Sequence, residues 1–140
     1  METIVIEVNQ RAITKYNGLM QRRAGGIFLR PEVKVFEAAV RYKALKVYQG
    51  PPLVCPLRVD IEFNFSDNKM PDLYNLPKAV CDALNTKKRG DMRDAGVWLD
   101  DRQIVIGTVS KQNVGRDFIR IVITPLVPTE TPILRRQKAR

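Results

Sequence analysis

Nine residues from Leu57 to Phe65 alternate without a break. Leu57, Val59, Ile61, Phe63 and Phe65 fall on one side, and Arg58, Asp60, Glu62 and Asn64 on the other. A period of two over this length marks a strand with one face in a core and the other in water. On that reading Asp60 and Glu62 face solvent and are poor candidates for a ligand site.

Helices are equally plain. From Pro31 to Tyr48 the residues Val33, Phe36, Val40, Ala44 and Val47 recur at three- and four-residue steps and make one apolar face. Pro31 suits the first turn, Glu32 complements the positive end of the dipole, and Lys46 lies near the other end. Gly50, Pro51 and Pro52 stop the helix. Lys34, Arg41 and Lys43 are free to point outwards. A second helix is expected from about Tyr74 to Leu84, on the stripe Leu76, Ala79, Val80, Ala83 and Leu84. Pro77 has no N–H and is comfortable only in a first turn, which sets the start near Leu73 to Asn75. Thr3 to Val8, Gln103 to Val109 and Phe118 to Ile123 read as further strands, the last after a turn at Asn113 to Gly115.

The chain has 140 residues, the length of one domain. Residues 1–126 form that domain on this reading, and residues 127–140 a flexible basic tail with Pro128, Pro132 and Arg135, Arg136, Lys138 and Arg140. Lys and Arg number 24 against 15 Asp and Glu, a net charge of +9, which favours a polyanionic partner such as nucleic acid. The alternative is a basic surface that is merely solvated. Histidine is absent, which excludes Ser-His-Asp hydrolysis and Cys/His zinc sites. Cys55 and Cys81 are too few for a disulfide framework and sit in apolar stretches, as small buried hydrophobes do. No apolar run reaches the ~18 residues of a membrane span and no signal peptide is evident, so an intracellular, cytoplasmic location is expected.

Asn9 to Arg30 has no clear periodicity and carries Arg11, Lys15, Arg22, Arg23 and Arg30 with Tyr16, Gly18, Gly25 and Gly26 between them. Such a loop suits phosphate-backbone binding, or is a solvated loop. Asn85 to Gly96, with Lys87, Lys88, Arg89, Asp91, Arg93 and Asp94, reads as a charged mobile loop.

Chemistry concentrates between Met70 and Ile104. Asp72 and the pair Asp100/Asp101 flank the short helix that carries Lys78. Carboxylates on a basic protein suggest a hard metal acting on phosphate, since Mg²⁺ takes oxygen ligands and a phosphodiester must have its charge neutralised before water attacks. A plainer reading makes Asp72 a helix cap and Lys78 with Asp82 a surface pair worth a few tenths of a kcal/mol.

The residues Asp72, Asn75, Leu76, Lys78, then Asp82, Ala83, Leu84, then Gly96, Val97, Trp98, Asp100, Asp101 and Gln103 stand in the order and spacing of a known motif. It is Asp-x-Asp-Asn-Leu-x-Lys, then Asp-Ala-Leu, then Gly-[Val/Phe]-Trp-x-Asp-Asp-x-Gln, and the chain thereby resembles the RusA family of Holliday junction resolvases. The resemblance covers the chain in layout and is specific from Asp72 to Lys111. It implies an α/β (α+β) fold, a small mixed β-sheet packed by two helices, in a homodimer. It implies cleavage of branched DNA, the four-way junction, with Mg²⁺ or Mn²⁺, by paired nicks in recombination and repair, in the nucleoid of a cell or from a prophage. It carries catalysis onto Asp72, Asp101 and Lys78 and the metal onto Asp72 and Asp101, with Asp100 as a helper; the family's basic loop matches by position only, and Arg11, Lys15, Arg22 and Arg23, with Lys78 and Lys111, are the expected DNA contacts. Tyr74 stands where the family has its second Asp. Three outcomes are open: Asp72, Asp100 and Asp101 suffice; Asp67, Asp91 or Asp94 substitutes; or the protein binds junctions without cutting them. A generic basic nucleic-acid-binding domain is a third, weaker reading.

Overall fold

A computed structural model describes residues 2–15, 19–21, 27–89 and 92–127. In chain order the elements are β1 (Ile4–Val8), β2 (Leu19–Gln21), β3 (Ile27–Leu29), α1 (Pro31–Val47), β4 (Leu57–Phe65), a 3-10 turn (Leu73–Asn75), α2 (Pro77–Leu84), β5 (Lys87–Arg89), β6 (Met92–Asp94), a second 3-10 turn (Asp101–Gln103), β7 (Ile104–Asn113) and β8 (Phe118–Pro125). The main sheet has the order β1-β8-β4-β7. β8 runs antiparallel to both its neighbours, and β4 runs parallel to β7. A parallel pair needs a long connection, and α2 lies within this one. The result is an α+β fold, a small mixed sheet with two helices.

The alternation in β4 sets the core through its register. Ile4, Ile123 and Val59 lie side by side, then Ile6, Ile121 and Ile61, then Val8, Ile119 and Phe63. These rows continue into β7 at Gly107, Val109 and Lys111. The third apolar row therefore ends in a lysine at the sheet edge. Val33, Phe36, Val40 and Ala44 of α1 and Ala79, Val80, Ala83 and Leu84 of α2 are buried over this core. Val47, expected on the apolar face of α1, is 47% exposed because the helix ends there. No helix among the described residues is long and apolar enough to cross a membrane.

Two stretches differ from their reading as loops. Leu19–Gln21 pairs with Ile27–Leu29, and Lys87–Arg89 pairs with Met92–Asp94, each as a small antiparallel hairpin. Arg41 does not point outwards either. Its guanidinium donates to the carbonyls of Ala83 (3.1 Å), Asn85 (3.0 Å) and Ala95, binding the end of α2 to the strand that returns to the site.

That return passes through Gly96. A Cβ there would stand 2.3 Å from the Leu84 carbonyl oxygen and 2.6 Å from the Asn85 carbonyl carbon. Both are backbone atoms, and the neighbouring Val97 N–H donates to the same Leu84 carbonyl at 2.8 Å. Gly96→Ala must push the two segments apart. We expect a loss of about 1–3 kcal/mol in urea unfolding; an unchanged midpoint would show that this approach is not needed.

Candidate active site

Asp101 is held on a turn that the local sequence builds almost alone. Asp100 caps the turn, accepting the Arg102 N–H at 2.9 Å. Gln103 answers it, its Oε1 accepting the N–H groups of Leu99 and Asp100, each at 2.9 Å. The amide of Gln103 also donates to the carbonyls of Leu53 (2.8 Å) and Cys55 (2.9 Å), fixing the turn to the segment before β4. Trp98, fully buried, donates its indole Nε1–H to Asp101 Oδ1 at 2.9 Å. Oδ2 of Asp101 has no hydrogen-bond partner among the described residues. Burial pushes the Asp101 carboxyl above its usual range; the Trp98 hydrogen bond opposes this, and the charge of Asp82 adds to it. Lys78 is also close enough to act on it. Burial, with Asp101 and Asp82 adding, pushes the Cys81 thiol up to about 12.

Asp72 sits before the first 3-10 turn, exposed, and its side chain makes no capping hydrogen bond. The reading of Asp72 as a plain cap therefore fails, and its carboxylate is free of hydrogen bonds and ion pairs among the described residues. Pro77 opens α2 in its first turn, as expected, but the turn from Leu73 to Asn75 before it is 3-10 rather than α-helical. Lys111, at the end of the third core row, donates Nζ to the carbonyl of Pro71 at 2.9 Å. It thus positions the backbone next to Asp72. Tyr74 is 85% exposed and has no polar partner among the described residues.

Between these carboxylates lies a charge network that the sequence reading missed. Lys15 Nζ bridges Asp82 of α2 (2.5 Å) and Glu37 of α1 (3.3 Å). Lys78 pairs with the other oxygen of Asp82 at 3.3 Å, and Lys87 with Glu37 at 3.5 Å. Burial works against the Lys15 charge, but Asp82 and Glu37 outweigh it, so Lys15 holds its proton more tightly than usual. Glu37 is only 6% exposed. Its position four residues after Val33, inside the apolar stripe, was the available signal.

The expected residues are therefore only partly together. Asp101, Lys78 and Asp82 share one neighbourhood. Both oxygens of Asp100 are occupied by Arg102. Asp67, a possible substitute carboxylate, is ion-paired with Arg11 at 3.0 Å, which together with the Lys69 N–H holds its pKa below the usual range. Arg11, with 35% of its side chain exposed, also pairs with Asp117 at 3.1 Å and stands over the Phe65 ring, so both it and Lys15 are ion-paired. Arg22, Arg23, Asp91 and the tail from residue 128 lie outside the described residues, and the side chain of Asp94 is likewise not described. No group of three or more Asp, Glu, His or Cys among the described residues is placed to hold a metal. The described residues thus offer no protein cage. What they offer is open carboxylate oxygens at Asp72 and Asp101, the donor set of a Mg²⁺ that keeps waters and takes its other oxygens from a phosphate.

Residues 10–124 match the family described as Endodeoxyribonuclease RusA. The Crossover junction endodeoxyribonuclease RusA of Aquifex aeolicus (strain VF5) is 25% identical over 126 residues, 89% of this chain and 94% of that protein. The protein of the same name from Escherichia coli (strain K12) is 44% identical over 62 residues, 44% of this chain and 45% of its own length. The corresponding protein of Enterobacteria phage 82 matches to the same extent.

Proposed function

The chain belongs to the RusA family of endodeoxyribonucleases, and from that premise we propose that it is a metal-dependent nuclease that resolves four-way DNA junctions, in a host nucleoid or for a prophage. The observation that carries the reading is Asp101: one oxygen is fixed by a buried Trp98, the other is open, and Lys78 stands within reach of its charge. A carboxylate is held half-buried at an energetic cost only where its surroundings over-determine it, and such groups cluster at functional sites.

Asp101 and Asp72 would hold Mg²⁺ or Mn²⁺, with Asp100 joining them on release from Arg102. The ion, when bound, supplies charge for the scissile phosphate and an acidified water. The remaining work falls to the chain. Lys78, 65% exposed and loosely paired to Asp82, can swing to the phosphate and offset charge that builds in the transition state. Lys15, fixed between Asp82 and Glu37, keeps that acidic pair from repelling the DNA. Lys111 holds Asp72 through the Pro71 carbonyl.

Two opposed nicks need two sites, so the reading includes a second copy related by a two-fold axis. β7 supports this. It is an edge strand of ten residues with Val105 and Ile106 exposed, and an unpaired strand edge is a template for another strand. A monomer mass by sedimentation at micromolar concentration would remove this part of the reading.

A second reading, junction binding with little cutting, is favoured by Tyr74 and by the lack of a third clustered carboxylate among the described residues. Metal-dependent nicking separates the two. The nuclease reading expects junction nicks with Mg²⁺ or Mn²⁺ and none with EDTA. Binding without nicks in either metal, with nicking gained in Tyr74→Asp, would establish the second reading.

A further inference from the structure

A cavity of about 440 Å³ opens at Pro71, next to Asp72 in the chain. It is lined by Arg30, Glu32 and Val33 at the start of α1, by Ala12 to Thr14, and by Lys69 and Pro71. Pro71 is the residue before Asp72, so the cavity adjoins the open carboxylate. Three features give it the character of an anion site. Arg30 makes no hydrogen bond or ion pair through its side chain among the described residues, and Lys69 meets Asp67 only through charge at a distance, whereas Arg11, also on the wall, is paired directly with Asp67 and Asp117. The 17-residue helix α1 starts here without any side-chain cap, and the Glu32 N–H finds no acceptor among the described residues. Thr14 is only 6% exposed, yet its hydroxyl has no partner among the described residues. The hydroxyl is not one of the fully enclosed unpaired polar atoms of the fold; it opens to the cavity, where it can donate to a ligand.

We propose that this cavity takes a backbone phosphate of the DNA, one neighbouring the phosphate that is cut. Arg30 and Lys69 supply the counter-charge, and the Thr14 hydroxyl and Glu32 N–H donate to its oxygens. Glu32 opposes the anion with its own carboxylate, so the site selects a singly charged diester over a doubly charged terminal phosphate. The inference rests on the nuclease reading, because it needs DNA as the ligand. It also moves phosphate recognition from Arg11 and Lys15, which are ion-paired, to Arg30, Lys69 and Thr14.

The test is equilibrium binding of the full chain to a four-way junction over a salt series in EDTA. Each phosphate contact contributes about 0.9 to the slope of log K against log salt. Arg30→Gln is expected to lower the slope by about that amount and to weaken binding about tenfold near 0.1 M salt. Thr14→Val keeps the shape and removes only an unpaired hydroxyl. It is expected to weaken junction binding several-fold while thermal unfolding stays the same or rises. One uncharged methylphosphonate, stepped along each strand, should weaken the wild-type protein at a single position near the nick, and Arg30→Gln should be blind to it there. An unchanged slope in Arg30→Gln, or equal methylphosphonate losses in both proteins, overturns the proposal. Competition by millimolar inorganic phosphate as effective as by DNA overturns the diester assignment. Failure of the wild-type protein to bind any DNA would instead overturn the function on which the proposal rests.

Discussion

Asp101→Asn is expected to fold, to bind a four-way junction as the wild type does, and to lose at least ~100-fold in the rate of nicking. Asn keeps an Oδ1 that accepts from Trp98 Nε1, so the turn from Asp100 to Gln103 has no reason to move. What is lost is the negative charge on the open oxygen. Stability should move the other way. Burial raises the Asp101 pKa in the folded state, so the folded state binds the proton more tightly than the unfolded one. Stability from this group is present at low pH and is lost as pH rises through the raised pKa. At neutral pH the ionised carboxylate therefore weighs against the fold, and the neutral Asn removes that burden. A midpoint of urea unfolding equal to or above the wild type's is expected at pH 7. A destabilised Asp101→Asn would mean that the carboxylate is structural, and its loss of nicking would then carry no weight.

Trp98→Ala is expected to cost about 3–5 kcal/mol, a large share of the ~5–15 kcal/mol that holds a domain of this kind together. Trp98 is fully buried among Leu53, Leu84 and Val97, and its backbone carbonyl receives Thr86 N–H at 2.9 Å and Thr86 Oγ1–H at 2.8 Å. The side chain fills the junction between α2, the returning segment and the turn of Asp101. Trp98→Phe separates packing from positioning. It keeps most of the apolar volume and removes the Nε1–H that orients Asp101. We expect it to lose 10–100-fold in nicking, the usual cost of an orienting partner, with a much smaller loss of stability. Equal, small losses in both properties would show that Trp98 serves the core alone.

Much of this was legible in the sequence, for reasons that belong to particular residues. β4 and α1 announce themselves because a half-buried strand and a one-faced helix impose strict periods on side chains. β1 and β8 follow for the same reason. The hairpins of β2–β3 and β5–β6 did not, because strands of three residues cannot display a period, and Lys87 to Asp94 carries charge where apolar alternation would be sought. Arg41 was misplaced because its partners, the carbonyls at the end of α2, lie more than forty residues away. The parallel pairing of β4 with β7 is invisible locally, yet it is what puts Lys111 at the rim beside Pro71.

The site divides along the same line. The motif brings Asp101, Lys78 and Gln103 together in sequence, and the structure shows what Gln103 does beside them: it binds four backbone groups at once. Asp82 looked like half of a surface pair and is instead the hub between Lys15, Lys78 and the approach to Asp101. Arg11 and Lys15 read as cations suited to phosphate, and the structure adds the carboxylates paired with each, which a sequence does not show.

The central claim is that an open carboxylate pair, Asp72 and Asp101, cuts junction DNA although Tyr74 replaces a third. It is tested most directly by nick mapping on a synthetic four-way junction. Each strand is end-labelled in turn, linear duplex serves as control, and Mg²⁺ is compared with EDTA. The account predicts symmetric nicks in two opposed strands of the junction, none in the duplex, and none with EDTA or in Asp72→Asn and Asp101→Asn. A protein that binds the junction in Mg²⁺ and leaves all four strands whole, or nicks that persist in both variants, would contradict it.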